Sequence, residues 1–156
     1  MKYRQLSKEQ FETLHKEFAQ FLATQQIDVN EWKNLKANKP VMVEEELNLF
    51  SDVVWDDALT KTKYLEHFSM QSINLFKCEE KSIFRIVVTI NKTDFDFFKE
   101  KDYQWFIDNT NNEAIEFLKG AKKYTKERNQ ELFDLIEKGS VISDGKLYES
   151  VFKLIS

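Results

Sequence analysis

Over the first sixty residues the apolar positions recur at helical spacing. Phe11, Leu14, Phe18, Phe21 and Leu22 follow Ser7 and Gln10, which stand in a capping-box relation, and they predict one amphipathic helix to about Thr24. Asp28 with Glu31 starts a shorter helix carrying Trp32 and Leu35. Pro40 suits the first turn of a third helix, where its missing N–H has no partner to lose. Val43, Leu47, Phe50 and Val54 form the stripe of that helix, and Leu49, Val53 and Ala58 widen it. Glu44, Glu45 and Glu46 fall near its start, where the helix dipole favours anions. Residues 60–68 read as one more short helix.

From Ile73 the pattern changes. Ile83, Phe84, Ile86, Val87, Val88 and Ile90 run too densely for one helical face and are mostly β-branched, so they predict a strand. Ile73–Cys78 reads as its hairpin partner, turning at Glu79–Ser82, with a helix over 70–81 as the competing reading. Tyr103, Phe106 and Ile107 suggest a short helix ending near Asn109–Asn112. Residues 113–123 fit either a helix or a third strand. Thr125 is placed to cap a helix carrying Leu132, Leu135 and Ile136, with Gly139 as its exit. Ser143 is placed to cap the last helix, which carries Leu147, Tyr148, Val151, Phe152 and Ile155. The expected fold is α+β: a mainly α-helical single domain over 1–156, with a small antiparallel hairpin or three-stranded sheet near 73–90.

Composition adds limits. With 156 residues, 42% of them apolar and fourteen Phe, the chain can bury a core without a covalent staple. One proline and three glycines leave no flexible linker. The single cysteine, Cys78, rules out an internal disulfide and a four-cysteine zinc site. No apolar run approaches the ~18 residues of a membrane-spanning helix, and the polar N-terminus has no signal-peptide core. Both point to a cytoplasmic protein without membrane insertion. The net charge of −4 divides evenly on either side of Cys78, so there is no basic half to grip nucleic acid non-specifically.

Candidate chemistry is sparse. The scattered glycines match no phosphate loop, and no nucleophile elbow occurs. Glu12 and His15 have the E-x-x-H spacing of di-iron helices, but the motif occurs once and reads more simply as a surface pair. Cys78 has acidic neighbours that would raise a thiol pKa, which suits a structural cysteine. Glu45, Asp52 and Asp56 share a face of the third helix. They could hold a hard cation or act as acid and base, though a solvated face is the simpler reading. No catalytic residue, metal ligand set or cofactor follows.

Two features suggest binding. Trp55, flanked by Asp52 and Asp56, has the character of an interface anchor, with a core tryptophan as the plain alternative. Lys119, Lys122, Lys123, Lys126 and Arg128, with Tyr124 among them, form a basic stretch suited to a phosphate backbone or an acidic partner. A solvated helix face explains the same residues.

Several stretches carry a resemblance. They are Met1–Gln10, Glu45–Trp55, Tyr64–Ser69, Leu75–Lys77, Tyr103–Trp105 and Leu135–Gly139. Together they resemble a family of short uncharacterised proteins from Bacteroidetes, known as a domain of unknown function. The likeness runs from Met1 to Ile155, which implies one domain, and it implies no activity. Met70 departs from the family's proline, a residue that would suit a helix start after Ser69. The expectation is a non-catalytic accessory protein that binds another protein or complex. The alternatives are an RNA- or ribosome-associated factor using 119–128, and a carboxylate-based enzyme or metal protein using Glu45, Asp52, Asp56 or His67.

Overall fold

The computed structural model describes residues 1–156 and contains seven helices and five strands. By its internal packing the chain divides into two compact units, Met1–Thr60 and Lys61–Ser156. No helix is long and apolar enough to cross a membrane.

The first unit is helical: α1 (Lys8–Thr13), α2 (His15–Thr24), α3 (Val29–Asn38) and α4 (Pro40–Lys61). Its centre is aromatic. Phe18 lies 5.0 Å from Phe50, 5.4 Å from Trp32 and 5.5 Å from Phe11. The capping box at Ser7 forms as its spacing predicts, and Asp28 caps α3 through the amide of Glu31. The single helix expected to Thr24 is instead broken at Leu14, whose ψ of 23° leaves the helical range. Helical hydrogen bonds continue on both sides, Leu14 N–H to Gln10 and Phe18 N–H to Leu14, so the break is a kink.

The second unit is a sheet with helices on its two faces. The order is β4-β3-β2-β1-β5, with every neighbouring pair antiparallel. The strands are β1 (Tyr64–Phe68), β2 (Ser72–Cys78), β3 (Ser82–Ile90), β4 (Ile115–Lys123) and β5 (Val141–Ser143). The helices are α5 (Glu100–Asp108), α6 (Arg128–Glu137) and α7 (Lys146–Ile155). The α+β class holds, but the sheet has five strands and extends well beyond 73–90.

Two local expectations are corrected, and two open choices between helix and strand resolve to strand. Residues 60–68 are not a helix. α4 runs on to Lys61, and Tyr64–Phe68 form β1, which is paired on both sides. The five residues Tyr-Leu-Glu-His-Phe are too few to show a decisive period, and their strand state comes from pairing along all five with β2 and along Tyr64–Glu66 with β5. Residues 70–81 are strand and turn, with Glu79 N–H closing on the Ser82 carbonyl. Met70 sits exposed in the β1–β2 turn and starts no helix. Residues 115–123 are strand, so the basic stretch is an edge strand and a loop rather than a helix face. Neither Thr125 nor Ser143 caps a helix: α6 starts after Glu127, and α7 starts after Gly145. Gly139 does end α6, at φ +115°.

Residues in register across strands share a face. One face presents Ile73, Leu75, Ile86, Val88 and Ile90, which pack with Phe95, Phe97 and Phe106 and with Tyr148 and Val151 of α7. This is the main core of the unit. The opposite face presents Asn74, Phe76, Arg85, Val87 and Leu118, with α6 beside it. That second face is only partly covered.

Candidate functional site

The uncovered part of the second face is a groove of about 860 Å³ between α6 and the outer strands of the sheet. Strand alternation builds it. Phe76 of β2, Val87 of β3 and Leu118 of β4 point to the same side, and Leu135 of α6 closes the far wall. The charged side chains on this face are Arg85, Lys122, Lys126 and Lys138 against only two acids, Glu131 and Asp134. A chain of net charge −4 thus carries a cationic, apolar-floored groove.

Both acids are already engaged. Glu131, almost fully buried, accepts from Lys122 at 3.0 Å and from the Thr125 amide at 2.7 Å. Burial alone would raise its pKa, but these hydrogen bonds and the Lys122 charge outweigh burial and hold it below the usual carboxylate value. Asp134 pairs with Lys126. Among the groove cations Arg85 and Lys138 make no ion pair, although the Lys138 charge helps to hold Asp134 below the usual carboxylate value. Arg85 is held in place nonetheless. Its Nε donates to Asn74 Oδ1 at 2.9 Å, Nη2 donates to the same oxygen, and the guanidinium sits 5.8 Å from the Phe76 ring. Holding the fork from one side leaves its remaining donors free for an anion.

The basic stretch is split by this geometry. Lys122, opposite Ile83, lies on the groove side of β4 and Lys126 follows in the loop, whereas Lys119, opposite Ile86, turns its side chain to the core face. Lys119 also sits 5.7 Å from the Phe152 ring. Lys123 is exposed at the end of the strand. Tyr124 and Arg128 are turned the other way: Tyr124 Oη donates to the Glu79 carbonyl at 2.8 Å, and Arg128 Nε donates to the same carbonyl at 3.1 Å. Arg128 also donates to the carbonyls of Thr62 and Cys78.

The carboxylate row of α4 lies in the other unit. Asp52 accepts the backbone N–H groups of Lys2 and Tyr3 at 2.7 and 2.9 Å, and Asp56 accepts from the Tyr3 hydroxyl and from Lys2. Trp55 is half-buried, with the Arg4 guanidinium 5.1 Å from its ring. These residues therefore anchor the N-terminal segment onto α4. Glu45 is exposed and takes no part. His15 binds the Glu12 carbonyl rather than its carboxylate, and no three His, Cys, Asp or Glu side chains converge in metal-binding geometry.

Chemistry in the second unit is equally uncoupled. Burial pushes the Cys78 thiol up to about 12 against the lowering effect of Arg128, so the thiolate is scarce at neutral pH. His67 and Ser140 both line the groove but share no hydrogen bond, so no base is aligned on that hydroxyl.

Most of the groove's residues lie outside the basic stretch, among them Arg85, Asn74, Val87, Leu118, Leu135 and Lys138. One signal for them was present in the sequence. Asn74 and Arg85 each interrupt an apolar strand on the same side, and polar residues at core positions commonly mark a functional face.

Fold and site together define an α+β protein with a cationic groove on an open sheet face. The chain belongs to a family of unknown function, DUF6495, whose model matches residues 1–156. No curated protein and no solved structure matches it.

Proposed function

We propose that the protein is a non-catalytic accessory protein whose working surface is this groove, and that it binds an acidic, apolar-bearing segment of another protein. The observation that carries the reading is the lining itself. An aliphatic floor favours protein side chains, and a cation excess in which Arg85 and Lys138 make no ion pair favours carboxylates. A nucleic-acid partner is favoured less. The Tyr124 ring and the Arg128 fork hold backbone carbonyls, Lys122 and Lys126 are paired with acids, and base-stacking aromatics do not line the floor beyond buried Phe76. The reading includes residues 1–156 working as one piece, which the span of the family model supports. It also includes the cytoplasmic, Bacteroidetes setting that the sequence resemblance implies.

Charge reversal tests it. The tagged protein, purified from its native host, is expected to retain a stoichiometric protein partner. The double variant Arg85→Glu, Lys138→Glu reduces recovery about tenfold or more. Reversing the exposed Lys8 and Lys16 of the helical unit leaves recovery unchanged. Equal recovery by both double variants, or loss of the partner on ribonuclease treatment, contradicts the reading.

A further inference from the structure

We propose that the partner segment enters the groove as an added β-strand along β4, an extended acidic stretch whose backbone pairs with the free edge of that strand. The proposal rests on the protein-binding reading above and specifies its geometry. β4 is the outermost strand, and its inner register with β3 runs without a bulge from Lys123↔Ser82 to Ile115↔Ile90. In such a ladder every other N–H and C=O turns outward. No group of the protein meets those of residues 116–123, and residues 118–123 are all exposed. The edge is a bare template beside the groove floor.

Gly120 is an independent sign of a close visitor. It sits in mid-strand opposite Arg85 and lines the groove. Its φ is not positive, and a Cβ built there meets nothing within 4 Å. The fold thus has no need of glycine at this position, although glycine weakens a strand. Glycine inside a strand without a bulge marks a place where another backbone approaches closely.

Charge selects the visitor. Lys119, Lys122 and Lys123 lie along the edge, which repels a second copy of the same strand and attracts an acidic one. On the groove side the incoming strand meets Leu118 and the free side of Arg85. Side chains alternating between carboxylate and aliphatic fit that lining.

The test is calorimetric titration of the full chain with a short peptide alternating glutamate and valine. A second titration uses the same peptide N-methylated throughout, which keeps its side chains and removes its donors. The plain peptide is expected to bind, and the methylated one to bind about tenfold more weakly or worse. Gly120→Val keeps the circular dichroism spectrum, does not lower the melting temperature, and weakens the plain peptide by about tenfold or more. Equal binding of the two peptides, or no effect of Gly120→Val, overturns strand addition while leaving the groove reading intact, provided that Arg85→Glu still weakens binding. Indifference of the plain peptide to Arg85→Glu, or failure of that peptide to bind, overturns both.

Discussion

Gly145→Ala is expected to lower stability by about 2–4 kcal/mol, from two separable sources. Gly145 has φ +82°, a left-handed conformation that costs a residue with a Cβ about 1 kcal/mol. The new methyl would also stand 2.4 Å from two carbons of the Tyr64 ring. That ring has no easy retreat. Its hydroxyl donates to Glu149 at 2.6 Å, and its face packs on Tyr148 at a centroid distance of 5.8 Å. Forcing it aside costs about 1–3 kcal/mol, in the manner of an overpacked core. Thermal unfolding should register a fall of about 5–15 °C for a chain of this size. The two sources separate in a Tyr64→Ala background, where only the backbone part remains. An equal loss in both backgrounds would show that the clash is not what makes glycine necessary.

The second large effect is at Arg128. Its guanidinium satisfies the carbonyls of Thr62, Cys78 and Glu79, and the first two belong to buried residues. It therefore fastens the start of the sheet unit and the β2–β3 turn to the start of α6. Arg128→Ala removes charge-assisted donors from three carbonyls, two of them on buried residues, at a cost of about 2–4 kcal/mol. Arg128→Lys recovers only a minor part, because an ammonium is a point donor and cannot span carbonyls on three residues. Urea unfolding with an unchanged m-value checks this. A loss below ~0.5 kcal/mol for Arg128→Ala would place the residue among ordinary surface positions. It would also return its charge to the pool available for a partner.

Much of the helical unit was legible in the sequence because its signals are local. Ser7 with Gln10, Asp28 with Glu31, and Pro40 each act within one turn. β2 and β3 were legible for the same reason, as two apolar runs, the second rich in β-branched residues, joined by a short polar turn. β1 and β5 were not, because their strand character comes from pairing with residues far along the chain: Leu65 opposes Phe76 on one side and Ile142 on the other. Three residues such as Val141–Ser143 have no period to read. The groove was half legible. The lysines of 119–126 announced a positive surface, but only the register of β4 on β3 brings Gly120 beside Arg85. Only the fold shows that Tyr124 and Arg128 face inward. The acidic row of α4 illustrates the converse. Asp52 and Asp56 do share a side, as helical spacing requires, and what occupies them is the chain's own N-terminus.

Site-specific photo-crosslinking from the groove floor tests whether it is a protein-binding surface. A benzophenone side chain installed at Leu118, an exposed position on the groove face of β4, is irradiated in the native host beside the same probe at Lys8 of α1. A discrete protein adduct is expected from position 118 alone, mapping to an acidic extended segment and suppressed by excess glutamate–valine peptide. Adducts to RNA, or none beyond those from position 8, would contradict the protein-binding reading.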